Sequence, residues 1–334
     1  MVTLLFTSVG RRVELMRAFR AAAENLNLPC RLVGTDVSPL APALQEVDVP
    51  VLVPRADDPT YAEVLADICR AHSITALFPL IDPDVPVLAN ARAALEDTGA
   101  LVMGIERDAV ATVSDKVATT EFFRSLGLDV PASWLPEDPA LQDPALLPLI
   151  VKPRRGSASK NVFVARTPGE LEFFKSYVPD PLIQEELPGP EITADVVCDQ
   201  SGDVLAVVCR ERIEVRWGEV AKGVTVKDPT IVEAGVRVAR ALPARGPITL
   251  QCMLKDGRPH FTEINARLGG GLPLGIAAGV DSPALLLASI AGHPSNGRPL
   301  ADYEAGVFLT RFDDSRFMTN AELARLEGGH LRSG

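Results

Sequence analysis

Apolar runs and helical patterns alternate over the first 108 residues of this 334-residue chain. The segments 3–9, 32–35 and 75–81 are short and apolar, and the segment 13–23 has the spacing of an amphipathic helix. Strands that alternate with helices are typical of a parallel sheet wrapped by helices. Residues 1–108 are therefore predicted to form an α/β domain.

The pattern changes after residue 108. A helix is predicted to begin with Ser114 as its N-cap and to end at Gly127. Strand-like runs follow at 149–153, 162–165 and 181–187. This second unit is predicted to end at residue 187, where a Pro-Gly-Pro sequence interrupts the chain.

Beyond this hinge the pattern predicts two hairpins. The runs 192–198 and 204–212 make the first hairpin, and 248–254 and 260–265 make the second. A helix is predicted between them, over about 230–242. Successive hairpins give antiparallel pairing, so this third unit is of the α+β class.

The second hairpin concentrates oxygen-bearing side chains. If Leu254 pairs with His260 across a five-residue loop, Gln251 lies opposite Glu263. Asn265 is two residues beyond Glu263 and shares its face of the strand. Such hard oxygen ligands suit Mg2+, which completes its shell with water and substrate phosphates. The alternative is that these residues are the solvated face of an amphipathic strand.

Two lysines are candidates for phosphate binding. Lys152 lies at the end of an apolar run, where an ammonium is costly unless it finds an anion. The polar loop 154–161 that follows is suited to covering phosphates with its backbone N–H groups and hydroxyls. Lys116 is ambiguous taken alone, because most lysines that open a helix are solvated.

Further cations punctuate the third unit of a chain that is acidic overall. Arg212 and Lys222 are candidates for contacts with a phosphate or an acyl phosphate, and Arg210 and Arg216 lie near them in sequence. The alternative is that arginines at alternate positions mark the wet face of a strand.

The first strand-to-helix turn carries Arg11 and Arg12, at a position where backbone N–H groups and the helix dipole favour an anion. The sequence lacks the Gly-x-Gly-x-x-Gly fingerprint, so NAD binding has little support. The two arginines either bind the carboxylate or phosphate of a second substrate, or cap and solvate the helix. Asp82 and Asp84 follow another strand at the same end of the sheet and are candidates to take a proton.

Together these motifs resemble those of the ATP-grasp superfamily. Its metal-binding strand carries Glu-x-Asn-x-Arg, which Glu263, Asn265 and Arg267 match, with Gln251 as the upstream ligand. The chain departs from the commonest form at Ala266, where a Pro usually stands. Three glycines follow Arg267, and we expect their flexible backbone to approach a transferring phosphoryl group.

The resemblance implies a role for each matching residue. Arg267 and Lys152 are expected to be catalytic, and Gln251, Glu263 and Asn265 to hold the metal. The residues expected at the nucleotide are Lys116, Lys152, Gly156, Ser157, Ser159, Glu185, Glu186, Leu187, Glu191, Arg212 and Lys222.

The fold implied is α/β and α+β: a Rossmann-like parallel-sheet N-terminal domain (1–108), followed by a two-subdomain ATP-grasp fold. Its small lid subdomain is expected at 109–187, and its large subdomain with the metal site at 188–334. The implied cofactors are ATP and Mg2+, with Mn2+ as an alternative. Among members, the chain looks closest to half of a carbamoyl-phosphate synthase large chain and to the pyrrolysine-biosynthesis ligase.

The amino-acid composition limits the kinds of binding partner that are expected. A net charge of -11 and a pI near 5.0 disfavour nonspecific nucleic-acid binding. Five widely spaced cysteines indicate buried thiols in a reducing compartment. Neither a signal peptide nor a membrane span is indicated. We therefore expect a cytoplasmic protein without nucleic-acid or membrane partners, and a homodimer stays open.

The leading functional hypothesis is an ATP-dependent carboxylate-amine ligase that acts through an acyl phosphate on amino-acid-like small molecules. One alternative is a carbamate or carboxylate kinase of the carbamoyl-phosphate synthase type, which releases the acyl phosphate. The other is a regulatory subunit that binds a nucleotide without turnover. The identities of the carboxylate and the amine are not encoded in any of these motifs.

Overall fold

The computed structural model describes residues 1–156, 160–216, 218–293, 297 and 299–328. Its N-terminal part is a five-stranded parallel sheet in the order β3-β2-β1-β4-β5. The strands are β1 (Val2–Thr7), β2 (Cys30–Asp36), β3 (Val49–Leu52), β4 (Ala76–Pro79) and β5 (Leu101–Val102). The strand order reverses between β1 and β4, and the carboxyl ends of those two strands form the crevice in which open α/β sheets bind ligands.

Three helices cover this sheet: α1 (Val13–Asn25), α2 (Tyr61–His72) and α3 (Asp84–Glu96). Helix α1 packs through Phe19, whose ring centroid lies 4.8 Å from that of Phe6 and 5.8 Å from that of Phe78. The parallel sheet wrapped by helices confirms the fold class predicted for this part of the chain.

The middle part begins with two helices, α4 (Val110–Ser114) and α5 (Lys116–Ser125). The N-cap of α5 is Asp115 rather than the predicted Ser114, because Asp115 has an extended backbone and its Oδ1 accepts a hydrogen bond from Val117 N at 3.0 Å. Ser114 is instead the last residue of α4.

A four-stranded antiparallel sheet follows, in the order β6-β9-β7-β8. Its elements are β6 (Ser133–Trp134), β7 (Leu149–Pro153), β8 (Phe163–Ala165), helix α6 (Pro168–Tyr177) and β9 (Pro181–Glu185). Strand β7 lies between β8 and β9, and Lys152 near its end is buried and paired with Leu182 of β9.

The last part is a six-stranded antiparallel sheet in the order β14-β13-β10-β11-β12-β15. Its strands are β10 (Glu191–Cys198), β11 (Val204–Arg216), β12 (Glu219–Val226), β13 (Pro247–Lys255), β14 (Arg258–Asn265) and β15 (Phe308–Thr310). The helices are α7 (Pro229–Ala241), α8 (Leu272–Ala277), α9 (Ser282–Ile290) and α10 (Asn320–Gly328).

Strand β10 shows why this sheet has one dry and one polar face. Ile192, Ala194 and Val196 are buried in the same hydrophobic cluster as Ile231 and Val238 of α7. Side chains alternate along a strand, so the intervening polar residues of β10 point to the opposite face. That opposite face carries the side chains discussed below.

The hairpin of β13 and β14 has a tighter turn than predicted. Asp256 and Gly257 adopt left-handed conformations, with φ of 51° and 76°, and form a two-residue turn. Leu254 therefore pairs with Pro259 and not with His260.

A register shift next to Gln251 offsets this difference. One extra residue, Thr262, is accommodated on β14, and its Oγ1 donates to Gln251 O at 3.2 Å. Gln251 consequently lies opposite Glu263, as the sequence predicted, although by a different route.

The first and last parts of the chain share one hydrophobic core. Phe6 and Met16 belong to the same buried cluster as Leu272 and Leu286, and helix α1 packs against α8 and α9. This packing holds the carboxyl ends of β1 and β4 against the polar face of the six-stranded sheet. Within the described part of the chain, every helix is too short or too polar to cross a membrane.

Candidate active site

A cleft of about 670 Å³ lies where the three sheets meet. Each sheet contributes polar side chains to its walls: Arg12 and Asp82 come from the parallel sheet, Lys152 and Gln184 from the four-stranded sheet, and Glu263 with its neighbours from the six-stranded sheet. All three sheets therefore contribute to one site.

The floor of the cleft is a row of residues in register across four strands. Thr193 on β10 is paired with Arg210 on β11 and with Gln251 on β13, which is paired in turn with Glu263 on β14. Thr193 is 1% exposed, and its Oγ1 has no hydrogen-bond partner within the described residues. A buried hydroxyl without a partner on a cleft wall is available to a bound ligand.

Side-chain hydrogen bonds run along this floor. Arg212 Nη1 donates to Glu191 Oε1 at 2.6 Å, and Gln251 Nε2 donates to the same oxygen at 2.8 Å. Asn265 Nδ2 donates to Gln251 Oε1 at 3.3 Å, and Arg267 Nη2 donates to Asn265 Oδ1 at 3.4 Å. The candidate ribose, metal and catalytic residues are thus joined in one chain.

Arg267 continues this chain into the N-terminal domain. Its Nε and Nη2 donate to the two carboxylate oxygens of Asp82 at 2.8 and 3.1 Å, which is the bidentate geometry that arginine and carboxylate favour. Asp82 follows β4, so a residue of the parallel sheet fixes the orientation of the candidate catalytic arginine. Asp84 does not reach the cleft, because it is fully buried and hydrogen-bonded to Thr7 and Tyr61.

Two lysines approach Glu263 from the four-stranded sheet and from α5. Lys152 is 7% exposed, and its Nζ donates to the neutral Gln184 Oε1 at 2.9 Å. Lys116 Nζ donates to Gly156 O at 3.0 Å and lies 3.9 Å from Glu263 Oε1. Burial lowers the pKa of Lys152, which Glu263 raises and Lys116 lowers further. A buried ammonium bound to a neutral amide favours an anionic ligand.

The predicted hinge residues lie along the edge of the cleft. Glu185, Glu186 and Leu187 all line it. The carboxylate of Glu185 is engaged with Lys255 Nζ at 2.7 Å and with Ala132 N at 2.9 Å, and its own backbone N–H donates to Ala132 O at 2.9 Å.

The three glycines after Arg267 have a packing reason that the sequence did not reveal. A Cβ on Gly269 or Gly271 would collide with the buried ion pair of Asp195 and Arg210, in which Arg210 Nε donates to Asp195 Oδ2 at 2.7 Å. A Cβ on Gly270 would lie 2.6 Å from Arg12 Nη1. The glycines therefore allow charged side chains to pass close to the backbone, and the flexibility expected of them stays a prediction.

Of the remaining predicted site residues, some line the cleft and others lie outside it. Lys222 lies outside the cleft, about half exposed, with its Nζ 2.7 Å from Glu214 Oε2. Ser157 and Ser159 lie outside the described residues. Arg12 lines the cleft, whereas the side chain of Arg11 is 62% exposed and lies 4.0 Å from Asp313.

Sequence reasoning missed three participants in the site. These are Thr193, the Asp195–Arg210 pair, and Asp82 as the partner of Arg267. The sequence carries a signal for the first two, since Thr193 and Asp195 alternate with apolar residues along β10, as Glu191 does.

The oxygen donors at Glu263 fit a magnesium ion. Glu263 supplies one carboxylate, and Gln251 and Asn265 supply amide oxygens beside it. Among the described residues, no group of three or more His, Cys, Asp or Glu side chains is arranged so that it could hold a metal ion. The donor set therefore suits a hard cation that takes further ligands from phosphates and water, rather than an ion enclosed by protein ligands.

Comparison with protein families finds two matches. Residues 4–103 match the family described as "PylC-like, N-terminal domain", and residues 177–307 match "ATP-grasp in the biosynthetic pathway with Ter operon". The two matches cover the parallel sheet and most of the six-stranded sheet.

Curated relatives match over part of their length. A carbamoyl phosphate synthase large chain of Methanoculleus marisnigri is 27% identical over 203 residues, covering 54% of this chain and 19% of that protein. A formate-dependent phosphoribosylglycinamide formyltransferase of a Synechococcus species is 32% identical over 175 residues, covering 51% of this chain and 41% of that protein. The chain thus spans less than half of either relative.

Solved structures show the same fold across most of the chain. The biotin carboxylase domain of the Hydrogenobacter thermophilus 2-oxoglutarate carboxylase superposes with a TM-score of 0.70 at 17% identity, covering 91% of this chain and 73% of that one. An L-amino acid ligase from Bacillus licheniformis gives a TM-score of 0.66 at 21% identity, covering 87% of this chain and 74% of that one.

Proposed function

We infer that the chain is a member of the ATP-grasp superfamily, and on this premise we propose that it is an ATP-dependent carboxylate-amine ligase acting through an acyl phosphate on amino-acid-like small molecules. The observation that carries the proposal is the hydrogen-bonded floor that runs from Glu191 through Asn265 and Arg267 to Asp82. It joins a phosphate-binding end to a second end that is built by a different domain, as a reaction between two substrates requires.

The residues around Lys152 are assigned to the nucleotide. The hinge backbone at Glu186 and Leu187 holds the base, and Glu191, already bound by Arg212, holds the ribose hydroxyls. Lys116 and Lys152 contact the phosphates. Mg2+ held by Gln251, Glu263 and Asn265 would neutralise phosphate charge when bound.

The chemistry consists of two displacements. A carboxylate oxygen attacks the γ-phosphorus, the bond to the β-phosphate oxygen breaks, and ADP leaves. The neutral amine then attacks the acyl carbon, and the bond to the phosphate oxygen breaks. The nitrogen loses one proton to the departing phosphate, which balances the step.

The protein contributes positioning and charge to these displacements. Lys152 and Arg267 both line the cleft, and both are held by hydrogen bonds before any substrate arrives. We do not assign the amine proton to Asp82, because both of its carboxylate oxygens already accept hydrogen bonds from Arg267.

Isotope transfer tests the mechanism. Pairs of amino acids are screened for ADP release, and the active carboxylate is then supplied with both oxygens as heavy oxygen. One labelled oxygen in inorganic phosphate, together with ADP, is the expected result. Labelled AMP would indicate adenylation instead, and unlabelled phosphate would remove the acyl phosphate from the scheme.

The same experiment separates the kinase alternative, which the similarity to carbamoyl phosphate synthase large chains favours. A kinase would release ADP with the carboxylate alone, and hydroxylamine would trap an acyl phosphate without any amine substrate. A ligase releases ADP at full rate only when both substrates are present.

A further inference from the structure

We propose that Arg12 binds a carboxylate of the amine substrate that does not react, at the place where the Glu219 carboxylate now lies. This inference rests on the proposed ligase function and adds a recognition rule to it. An amine that lacks a carboxylate would then be a poor substrate.

The position of Arg12 is the first step. Arg12 follows β1 at the reversal of strand order, and its side chain is 13% exposed although it lines the cleft. Burial lowers its pKa to about 10, against the attraction of Glu219, and Arg267 and Arg311 lower it further. A buried guanidinium on the wall of a cleft, beside two other arginines, favours an anion.

The present partners of Arg12 hold it weakly. Its Nη2 lies 3.2 Å from Glu219 Oε1 and 3.5 Å from Leu80 O. Other arginines of the site have charged contacts of 2.6 to 2.8 Å, as in Arg212 with Glu191 and Arg267 with Asp82. Charge-assisted hydrogen bonds of full strength have these shorter distances, so Arg12 retains capacity for a better acceptor.

A substrate carboxylate could replace Glu219 in its ion pair with Arg12. Its side chain is 40% exposed, and it also lies 3.5 Å from Arg311 Nη1. If a substrate carboxylate displaces it from Arg12, Glu219 keeps an ion pair with Arg311 and is not left unpaired. Because a carboxylate already lies against Arg12, a second carboxylate matches the site in charge and shape.

Gly270 makes the approach of Arg12 possible. Its backbone has no left-handed conformation, yet a Cβ there would lie 2.6 Å from Arg12 Nη1 and 3.3 Å from the Glu219 carboxyl carbon. Arg311 Nη2 donates to Gly270 O at 2.6 Å and fixes this segment. Glycine is therefore required at position 270 because the guanidinium of Arg12 lies where a Cβ would need room.

The order of the contacts assigns the subsite to the amine substrate. The charges that act on the pKa of Lys152 are those of Glu263, Lys116 and Glu191. A different set acts on the pKa of Arg12, namely Glu219, Arg267, Arg311 and Asp82. The carboxylate that is phosphorylated must lie next to the γ-phosphate, between Lys152 and Arg267. Arg12 follows β1, and Arg267 is bound by Asp82, which follows β4, so both belong to the end of the cleft that the N-terminal sheet forms, and we assign this end to the amine substrate.

The test combines a change in the enzyme with a change in the substrate. The amine substrate found in the amino-acid screen is compared with its primary amide, which has the same shape without the charge. In the wild type, the amide is expected to raise KM by about 10- to 100-fold, the value of one charge-assisted hydrogen bond. In Arg12→Gln, the acid and the amide are expected to have similar KM values, with the KM for ATP unchanged.

Two further variants guard against misfolding. Gly270→Ala keeps Arg12 but forces its guanidinium aside, and the KM for the acid alone is expected to rise. Arg17→Gln, on the exposed side of α1 and paired with Glu46 at 3.1 Å, is the matched control and is expected to keep the preference for the acid.

The outcomes separate the two claims. ADP release with acid and amide at equal KM in the wild type, or an equal loss for both in Arg12→Gln, overturns the carboxylate subsite and leaves the ligase intact. No ADP release with any pair of amino acids overturns the proposed function, and the subsite with it.

Discussion

The two ends of the cleft balance charge in different ways. At the phosphate end, Lys152 is buried against the neutral Gln184. At the opposite end, Arg267 and Arg12 each face a carboxylate of the protein, Asp82 and Glu219. The hydrogen-bond acceptor of Lys152 is thus uncharged, although the Glu263 carboxylate lies near enough to raise the pKa of this lysine, whereas the two arginines are already paired with carboxylates.

This difference predicts two modes of binding. An anion that binds Lys152 does not have to displace a carboxylate from that lysine, whose hydrogen bond is to the neutral Gln184. An anion that enters the other end must exchange places with a carboxylate, and gains only the difference between the two contacts. We therefore expect changes at the phosphate end to have the larger effects on catalysis.

The largest expected effect is that of Glu263→Gln. This variant keeps the shape of the side chain and removes the single carboxylate of the candidate metal site, so ADP release should fall by at least about 100-fold. The melting temperature without nucleotide should change little, because the ion pair of Glu263 with Lys116 is long, at 3.9 Å.

The melting temperature of Glu263→Gln, measured beside its activity, separates a catalytic role of Glu263 from a structural one. If Glu263→Gln melted several degrees lower while its folded fraction turned over normally, Glu263 would be structural and the metal would lie elsewhere. Glu233→Gln is the control, since Glu233 is exposed on α7 and paired with Arg237.

Lys152→Met is expected to have the next largest effect, a loss of about 100-fold in kcat, because no cation then faces the transferring phosphoryl group from β7. Stability at pH 7 should stay within about 1 kcal/mol of the wild type. Removal of a buried charge stabilises the fold, but Gln184 Oε1 loses its donor, and these two changes oppose each other.

The pH dependence of this stability distinguishes the two contributions. Burial lowers the pKa of Lys152 below its ordinary value of 10.5, so the folded protein loses this proton at a lower pH than the unfolded chain. The cost of the buried charge is present at neutral pH and disappears as the pH rises from the folded-state pKa toward 10.5. Denaturant unfolding should therefore show wild-type stability rising with pH relative to Lys152→Met.

The phosphate end was also the part that could be predicted from sequence. Gln251, Glu263 and Asn265 lie on one hairpin, and side-chain alternation over a few residues is enough to place them on one face. The bulge at Thr262 could not be predicted, but it compensated for the error in the turn. Local spacing therefore gave the correct neighbours through an incorrect register.

The other end depends on contacts that sequence spacing does not encode. Asp82 and Arg267 are 185 residues apart, and their pairing follows from the packing of α1 on α8 and α9. The glycines at 269–271 were predicted from a motif to be flexible, but their packing role requires knowing which arginines cross them. The unit boundaries at residues 108 and 187 stay predictions.

A smaller effect is expected from Asp82→Asn. The variant weakens the hold on Arg267 but leaves the arginine in place, so kcat should fall by about tenfold with the KM for ATP unchanged. Stability should fall by about 1 kcal/mol, because both side chains are partly exposed, at 30% and 16%.

Steady-state kinetics with the active substrate pair measure this effect. Asp313→Asn is the matched control, since that carboxylate is 82% exposed and lies 4.0 Å from Arg11. A kcat equal to that of the wild type in Asp82→Asn would show that Arg267 is oriented adequately by Asn265 and the backbone alone, and the proposed link between the two domains would have no catalytic role.

The smallest effect is expected from Lys222→Gln, a change in kcat of less than about twofold. Lys222 was a candidate for contact with a phosphate because it lies among cations in an acidic chain, but its side chain is about half exposed and its Nζ lies 2.7 Å from Glu214. Glu214 also accepts a hydrogen bond from Arg216 at 2.8 Å, and these two cations lower the pKa of its carboxyl. Exposed ion pairs of this kind contribute little to stability, so Lys222→Gln should fold as the wild type does.

ADP-release rates for Lys222→Gln and Lys152→Met, measured side by side, provide the check. If Lys222→Gln lost tenfold or more in kcat, the β11–β12 hairpin would have to bring Lys222 over the phosphates during turnover, and the phosphate end would then resemble the opposite end in exchanging one ion pair for another.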